Sequence, residues 1–187
     1  MMKKWELLDS EYVLNTPYAK VRRDRVRLSN GLEIGDYYVY EVSDWVRVVP
    51  FDEQGDLVMV EQYRHALGEV TMEFPAGRID AEDASPLEAA RRELREETGY
   101  VSRKWIPLGS YHIGPARFVN RFHLFCALEC TRDGGQNLDA TEEIRVFTLP
   151  VAEYEKLFET GKIHDVDSAT GWLLCNRKGL VASARSA

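Results

Sequence analysis

Between Ser85 and Gly99 the chain carries a full set of start and stop signals for one helix. Ser85 suits the N-cap, Pro86 the first helical position, and Glu88 closes a capping box with Ser85. Gly99 stands where a helix favours a left-handed residue just past its last turn. Leu87, Ala90 and Leu94 recur at helical spacing and are expected to face a core. Nearly everything upstream, and the segments next downstream, read as strand. Val46, Val48 and Val49 form one apolar run, Asp52–Asp56 a turn, Leu57–Arg64 the next strand, and Val70–Phe74 another, stopped by Pro75-Ala76-Gly77. Strands are expected again at Trp105–Ile113, Phe122–Cys130 and Ile144–Phe147, with a loop over Thr131–Gly135. Two helices close the chain, one from Val151 to Thr160 and one roughly from Ser168 to Leu180, the second capped by Asp165 and Asp167. Mixed strands with few helices predict an α/β sandwich with a mixed sheet.

Residues 1–44 have a different texture. Val21, Arg23, Arg25, Val26 and Leu28 lie in an extended polar run. Asn30-Gly31 offers a two-residue hairpin turn, and Glu33–Val42 is rich in aromatic and β-branched residues. This predicts a small antiparallel β-domain over 1–44, followed by the main domain over 45–187.

The 187 residues carry a formal net charge of -7, so no cationic excess exists to neutralise a nucleic-acid backbone. A small phosphate ligand remains possible with a local site and a metal ion. Three cysteines, Cys126, Cys130 and Cys175, show no CxxC spacing and are expected to be buried free thiols. The N-terminus turns polar at once, and no apolar run reaches membrane length; the cytoplasm is the expected location.

The helix itself carries the chemistry. Glu93, Glu96 and Glu97 are related as i, i+3 and i+4 and share one face. Like charges so placed repel, and a hard divalent cation would relieve that repulsion. The bland alternative is a solvated acidic face balanced by Arg91, Arg92 and Arg95. An upstream glycine loop and a terminal glycine argue for the cation. The histidines, His65, His112, His123 and His164, have no metal-ligand spacing.

Gly77 with Arg92-Glu93-Leu94-Arg95-Glu96-Glu97-Thr98-Gly99-Tyr100 resembles the Nudix box, GX5EX7REUXEEXGU, in which U is bulky and apolar. The second half matches at each fixed position. The first half departs, because Asp83 stands where the first glutamate should be and Arg92 comes one residue late. The loop Asp80–Ala84 thus holds a one-residue insertion, with Glu82 or Asp83 replacing the usual glutamate. Val60–Arg64, Glu73–Gly77, Thr141–Val146 and Pro115, sixteen residues after Gly99, are similar to the ADP-ribose and nucleoside diphosphate sugar pyrophosphatase branch.

The resemblance implies a Nudix α/β/α sandwich preceded by a β-domain that such enzymes exchange between subunits of a homodimer. It implies hydrolysis of a nucleoside diphosphate sugar, above all ADP-ribose or an ADP-sugar, with Mg2+ or Mn2+. Glu93 and Glu97 would be the main metal ligands, joined by the Ala76 carbonyl, with Glu96 completing a second position or orienting water. Glu142 is the favoured general base and Glu143 the alternative; both could instead be solvated turn residues. Arg64 and Glu73 are assigned to substrate binding, Arg64 as a phosphate clamp or else a surface ion pair. Trp5, Tyr38 and Trp45 are nominated to stack on the base, with plain packing as the alternative; Tyr38 and Trp45 are the two retained for the site. GDP-mannose, a dinucleoside polyphosphate or a nucleoside triphosphate remain other substrates, and a sensor that binds without cleaving remains another class.

Overall fold

The computed structural model describes residues 2–184. The chain separates into two compact units: residues up to Asp44 together with Tyr111–Arg121, and Trp45–Ser110 together with Phe122 onward.

In the first unit β1 (Glu6–Asn15), β2 (Lys20–Arg27) and β3 (Glu33–Glu41) form an antiparallel sheet in that order. Charged side chains tie its strands: Arg27 bridges Glu6 on β1 and Glu33 on β3, each at 2.8 Å. The β2–β3 turn is wider than the expected two-residue loop. Leu28 N–H donates to the Leu32 carbonyl and Gly31 N–H to the Leu28 carbonyl, enclosing Ser29, Asn30 and Gly31. Gly31 has φ 89°, the left-handed residue that a three-residue hairpin loop places after its turn. The strand expected over Trp105–Ile113 runs to His112, and a tight turn from Gly114 to Phe118 follows it, with Pro115 inside. The segment lies beside β3, where Tyr40 N–H donates to the Arg117 carbonyl at 2.8 Å and the Tyr40 and Phe118 rings stack at 5.0 Å.

The second unit contains β4 (Trp45–Asp52), β5 (Leu57–Arg64), β6 (Glu69–Glu73), β7 (Ala76–Arg78), α1 (Pro86–Thr98), β8 (Tyr100–Val101), β9 (Lys104–His112), β10 (Arg121–Arg132), β11 (Ile144–Leu149), α2 (Val151–Glu159), α3 (Val166–Arg177) and α4 (Leu180–Ala184). Its sheet runs β11-β5-β4-β10-β8, with β6 on β5, β7 on β4 and β9 on β10. β4 and β10 are parallel and β5 and β11 antiparallel, so the sheet is mixed.

Strand β4 shows why helices cover both faces. Val46 and Val48 point one way, onto Ala89, Ala90 and Leu94 of α1. Val49 and Phe51 point the other way, into a cluster with Tyr154 of α2 and Trp172 and Cys175 of α3. Alternate residues of one strand thus feed two cores, and each fully buried side chain contributes about 1.5–3 kcal/mol. The three cysteines are buried free thiols.

Helix α1 starts and stops where expected, with two local differences. Ser85 Oγ accepts from Glu88 N–H at 3.3 Å, but the Glu88 carboxylate turns to Arg91 Nη1 at 2.7 Å, so only half of the capping box forms. Leu87 is half-buried, and Ala89 joins Ala90 and Leu94 in the core. Helix α3 begins at Val166 and is capped by Asp165 alone, which accepts from the N–H groups of Asp167 and Ser168. Gly179, at φ 72°, separates α3 from α4 within the single helix that was anticipated. Among the described residues no helix is long and apolar enough to cross a membrane.

Candidate active site

The acidic face of α1 lies against β7, and that packing sets the geometry of the cleft. Glu93 and Glu97 are 8% and 3% exposed, whereas Glu96, on the same face, is half-buried. Strand β7 brings Gly77 directly beneath Glu93: a Cβ on that glycine would lie 2.0 Å from the Glu93 carboxyl carbon. Only a residue without a side chain lets the backbone approach so closely. One residue earlier, Ala76 N–H donates to Glu97 Oε2 at 3.0 Å.

Arg92 braces the acids from the other side. Its Nη1 donates to Glu93 Oε1 at 2.8 Å and to Glu96 Oε2 at 3.0 Å. Its Nε and Nη2 grip both oxygens of Asp83, at 3.1 and 2.8 Å, and Nη2 also reaches the Arg78 carbonyl at 2.9 Å. The inserted residue is absorbed in a turn in which Asp80 N–H donates to Asp83 Oδ2 at 2.9 Å and Asp83 N–H to the Asp80 carbonyl at 3.2 Å. Asp83, rather than Glu82, is thereby presented to Arg92.

Burial pushes the Glu97 carboxyl up to about 8, against the lowering effect of Ala76 N–H, with the charges of Glu93 and Glu142 adding to the rise. Burial likewise raises Glu93 to about 7, with Arg92 opposing and Glu96 and Glu142 adding. Two buried carboxyls that resist ionisation in a polar cleft mark a candidate functional site. The donor set, carboxylate oxygens beside a backbone strand, is that of a hard divalent ion, and the gap at Gly77 leaves the Glu93 carboxyl free of any neighbouring Cβ. The residues therefore fit such an ion. They do not form a ready cage: among the described residues no three acidic, histidine or cysteine side chains already converge. Glu93 and Glu96 accept from Arg92, and Glu97 from Ala76 N–H.

These groups line a cleft of about 420 Å3 together with Gln62, Arg64, Asn137 and Glu142. Its far wall is the loop before β11, pinned to the end of α1. Gln136 Nε2 donates to the carbonyls of Glu97 and Ile144, at 2.7 and 3.0 Å, and Asn137 N–H donates to that of Glu96 at 2.9 Å. Glu142 lines the cleft, its Oε2 accepting from Asp139 N–H at 2.9 Å; Glu143 is exposed and does not line it. A hollow of about 470 Å3 lies on the outer side of α1 beside Trp105, but its carboxylates are paired with arginines and it reaches neither Glu93 nor Glu97.

Arg64 enters the cleft on a fixed mount. Its Nε and Nη2 fork onto Glu73 Oε1 and Oε2 at 2.8 and 2.6 Å. Burial alone would raise the Glu73 carboxyl, but Arg64, Arg47 and Thr71 outweigh it and hold it down at about 2. Glu73 thus supports Arg64 and does not itself line the cleft. Arg47, which the sequence reading did not single out, sits buried behind Glu73. The one trace it leaves in sequence is a cation between Val46 and Val48 in an otherwise apolar strand.

Of the aromatic nominees, Trp45 packs inward: its ring stacks on Phe122 with centroids 6.0 Å apart, and its indole N–H donates to Asp167 Oδ2 at 2.7 Å. It does not line the cleft. The same bond explains why Asp167 does not cap α3. Tyr38 lies on β3 of the first unit, where its carbonyl accepts from Arg117 Nη1 at 3.1 Å, and Trp5 meets Tyr37 edge-on at 5.9 Å.

Residues 44–166 match the NUDIX domain, and residues 5–40 match the nucleoside diphosphate sugar hydrolase N-terminal domain. The chain is 38% identical over 160 residues to an ADP-ribose pyrophosphatase of Mycobacterium tuberculosis, covering 85% of this chain and 77% of that protein. It is 30% identical over 125 residues to an ADP-ribose pyrophosphatase of Bacillus subtilis, covering 66% of this chain and 67% of that protein. A crystal structure described as an ADP compounds hydrolase superposes with a TM-score of 0.85 at 22% identity, covering 99% of this chain and 98% of that one, a likeness of fold.

Proposed function

Because the chain belongs to the Nudix family of hydrolases, we propose that it splits the diphosphate of a nucleoside diphosphate sugar, with ADP-ribose or a related ADP-sugar as substrate and magnesium, or else manganese, as the ion. Nudix hydrolases generally use divalent cations. The observation that carries the reading is the pair of buried carboxyls, Glu93 and Glu97, facing a polar cleft across the gap at Gly77. The two relatives named for ADP-ribose support the choice of base and sugar.

In this reading Glu93, Glu97 and the Ala76 carbonyl would hold the ion, and Glu96 would complete a second position or orient a water. When bound, the ion screens the diphosphate and lowers the pKa of the attacking water. Glu142 accepts a proton from that water as its oxygen forms a bond to one phosphorus. The bridging P–O bond breaks, and the departing phosphate keeps the bridging oxygen. Arg64, held by Glu73, turns its remaining N–H groups to phosphate oxygens. The products are a nucleoside monophosphate and a sugar phosphate.

We also assign homodimer formation to residues 1–44. Three strands bury little apolar surface by themselves, and β1 leaves Leu7, Tyr12 and Val13 59%, 51% and 49% exposed.

The deciding experiment incubates the protein with ADP-ribose, other nucleotide sugars including GDP-mannose, dinucleoside polyphosphates and nucleoside triphosphates, with and without magnesium, and identifies the products. AMP and ribose 5-phosphate, lost on chelation, are expected. Preferential release of GMP would move the substrate to GDP-mannose. Ligand-induced stabilisation without any product would mark a sensor instead.

A further inference from the structure

We propose that Arg47 is a positioning residue for the substrate's phosphate groups, acting through Glu73 on Arg64. The inference rests on the function proposed above.

Arg47 lies on β4 between Val46 and Val48 and is 5% exposed. A buried guanidinium requires several partners, and here they come from the end of β6, the residue after it, and the start of α3. Nη1 and Nη2 both lie 3.4 Å from Glu73 Oε2. Nη1 also donates to the Phe74 carbonyl at 2.8 Å and to Ser168 Oγ at 3.0 Å, and lies 2.9 Å from Asp165 Oδ2. Ser168 Oγ in turn accepts from Phe74 N–H at 3.1 Å. Residues 73 and 74 are thus held by side chain and by main chain.

Glu73 then fixes Arg64. Oε1 accepts from Arg64 Nε at 2.8 Å and from Thr71 Oγ1 at 2.6 Å, while Oε2 is shared between Arg64 Nη2 and Arg47. The Arg64 side chain is 40% exposed, and a long side chain at such a surface samples many rotamers unless its anchor is rigid. Arg47 supplies the rigidity, since a carboxylate between two guanidiniums cannot turn toward one without leaving the other. A lysine ammonium in its place would end one bond short of Nη1, the nitrogen that touches Glu73, Phe74 and Ser168, and would lack the second nitrogen on Glu73.

The test is a double-mutant cycle on the full chain with ADP-ribose and magnesium, using Arg47→Lys, Arg64→Ala and the pair. Arg47→Lys should raise KM about tenfold, the change carried by one lost charged hydrogen bond, with kcat nearly unchanged. In the Arg64→Ala background the same substitution should add less than about twofold, because the path it acts through is gone. Ser168→Ala, which removes one Arg47 acceptor and keeps every charge, should shift KM in the same direction by less, and it serves if Arg47→Lys does not fold. Additive effects on KM, or a wild-type KM in Arg47→Lys or its substitute, overturn the proposal. A wild-type chain that neither binds nor cleaves ADP-ribose would overturn the function itself, an outcome distinct from wild-type turnover with additive variants.

Discussion

Replacing Glu97 with glutamine should stabilise this protein at alkaline pH when divalent ions are chelated, while abolishing its activity when they are present. Burial holds the Glu97 carboxyl at about 8, against an ordinary 4.5. Between those values the native state binds more protons than the unfolded state, so stability falls as pH rises through the window. At about 1.36 kcal/mol per pH unit, the gap sets a ceiling near 5 kcal/mol for the penalty accumulated by pH 8. Glutamine never ionises and can still accept from Ala76 N–H, so the variant escapes the penalty. Thermal melts of both proteins in chelator should agree to within about 1 kcal/mol at pH 5. At pH 8 they should diverge by roughly 3–5 kcal/mol, which for a chain this long is on the order of 10 °C. Adding magnesium should reverse the order, because the cation stabilises the ionised wild-type site. A wild-type melting temperature that stays level or rises from pH 5 to 8 in chelator would refute the electrostatic account of the cleft.

Gly77→Ala should cost activity out of proportion to stability. The new Cβ would sit 2.0 Å from the end of the Glu93 side chain, which can swing aside for roughly 0.5–1.5 kcal/mol but then loses its place in the cleft; melting temperature and turnover measured together decide it. Glu142→Gln should lower kcat by about 100- to 10,000-fold if Glu142 is the base, whereas Glu143→Gln, outside the cleft, should leave kcat near wild type; steady-state kinetics on both variants would expose the opposite assignment.

The parts legible in the sequence are those set by short-range periodicity. The face shared by Glu93, Glu96 and Glu97 follows from 3.6 residues per turn, and the boundaries of α1 from Ser85, Pro86 and Gly99. The two-sided cover of β4 follows from its apolar run, which only Arg47 interrupts before Asp52. What could not be read there depends on partners distant in the chain. Asp167 looked like a capping residue because its indole donor, Trp45, is 122 positions away. Arg47 looked unremarkable because Asp165 and Ser168 come from α3 and its cap. Residues 111–121 join β3 through main-chain bonds that carry no compositional mark. The β2–β3 turn is one residue longer than Asn-Gly favours, because a glycine in the left-handed region also closes a three-residue loop, and the Leu28–Leu32 pairing sets which one forms.

Two arginines divide the electrostatic task in this cleft, and their positions explain the division. Arg92 is on the helix with the acids and touches Glu93, Glu96 and Asp83, so it competes with any cation for the same oxygens. Glu97, the most buried of the three acids, accepts from one backbone N–H and, among the described residues, from no arginine. Arg47 lies on β4 beside Ala76 and is held by Glu73, Phe74, Asp165 and Ser168, none of them an acid of α1. One guanidinium therefore holds the acids of the helix, and the other holds the carboxylate that mounts Arg64. The two sets are separate in their hydrogen bonds, because Glu73 and the acids of α1 share no common partner among these contacts.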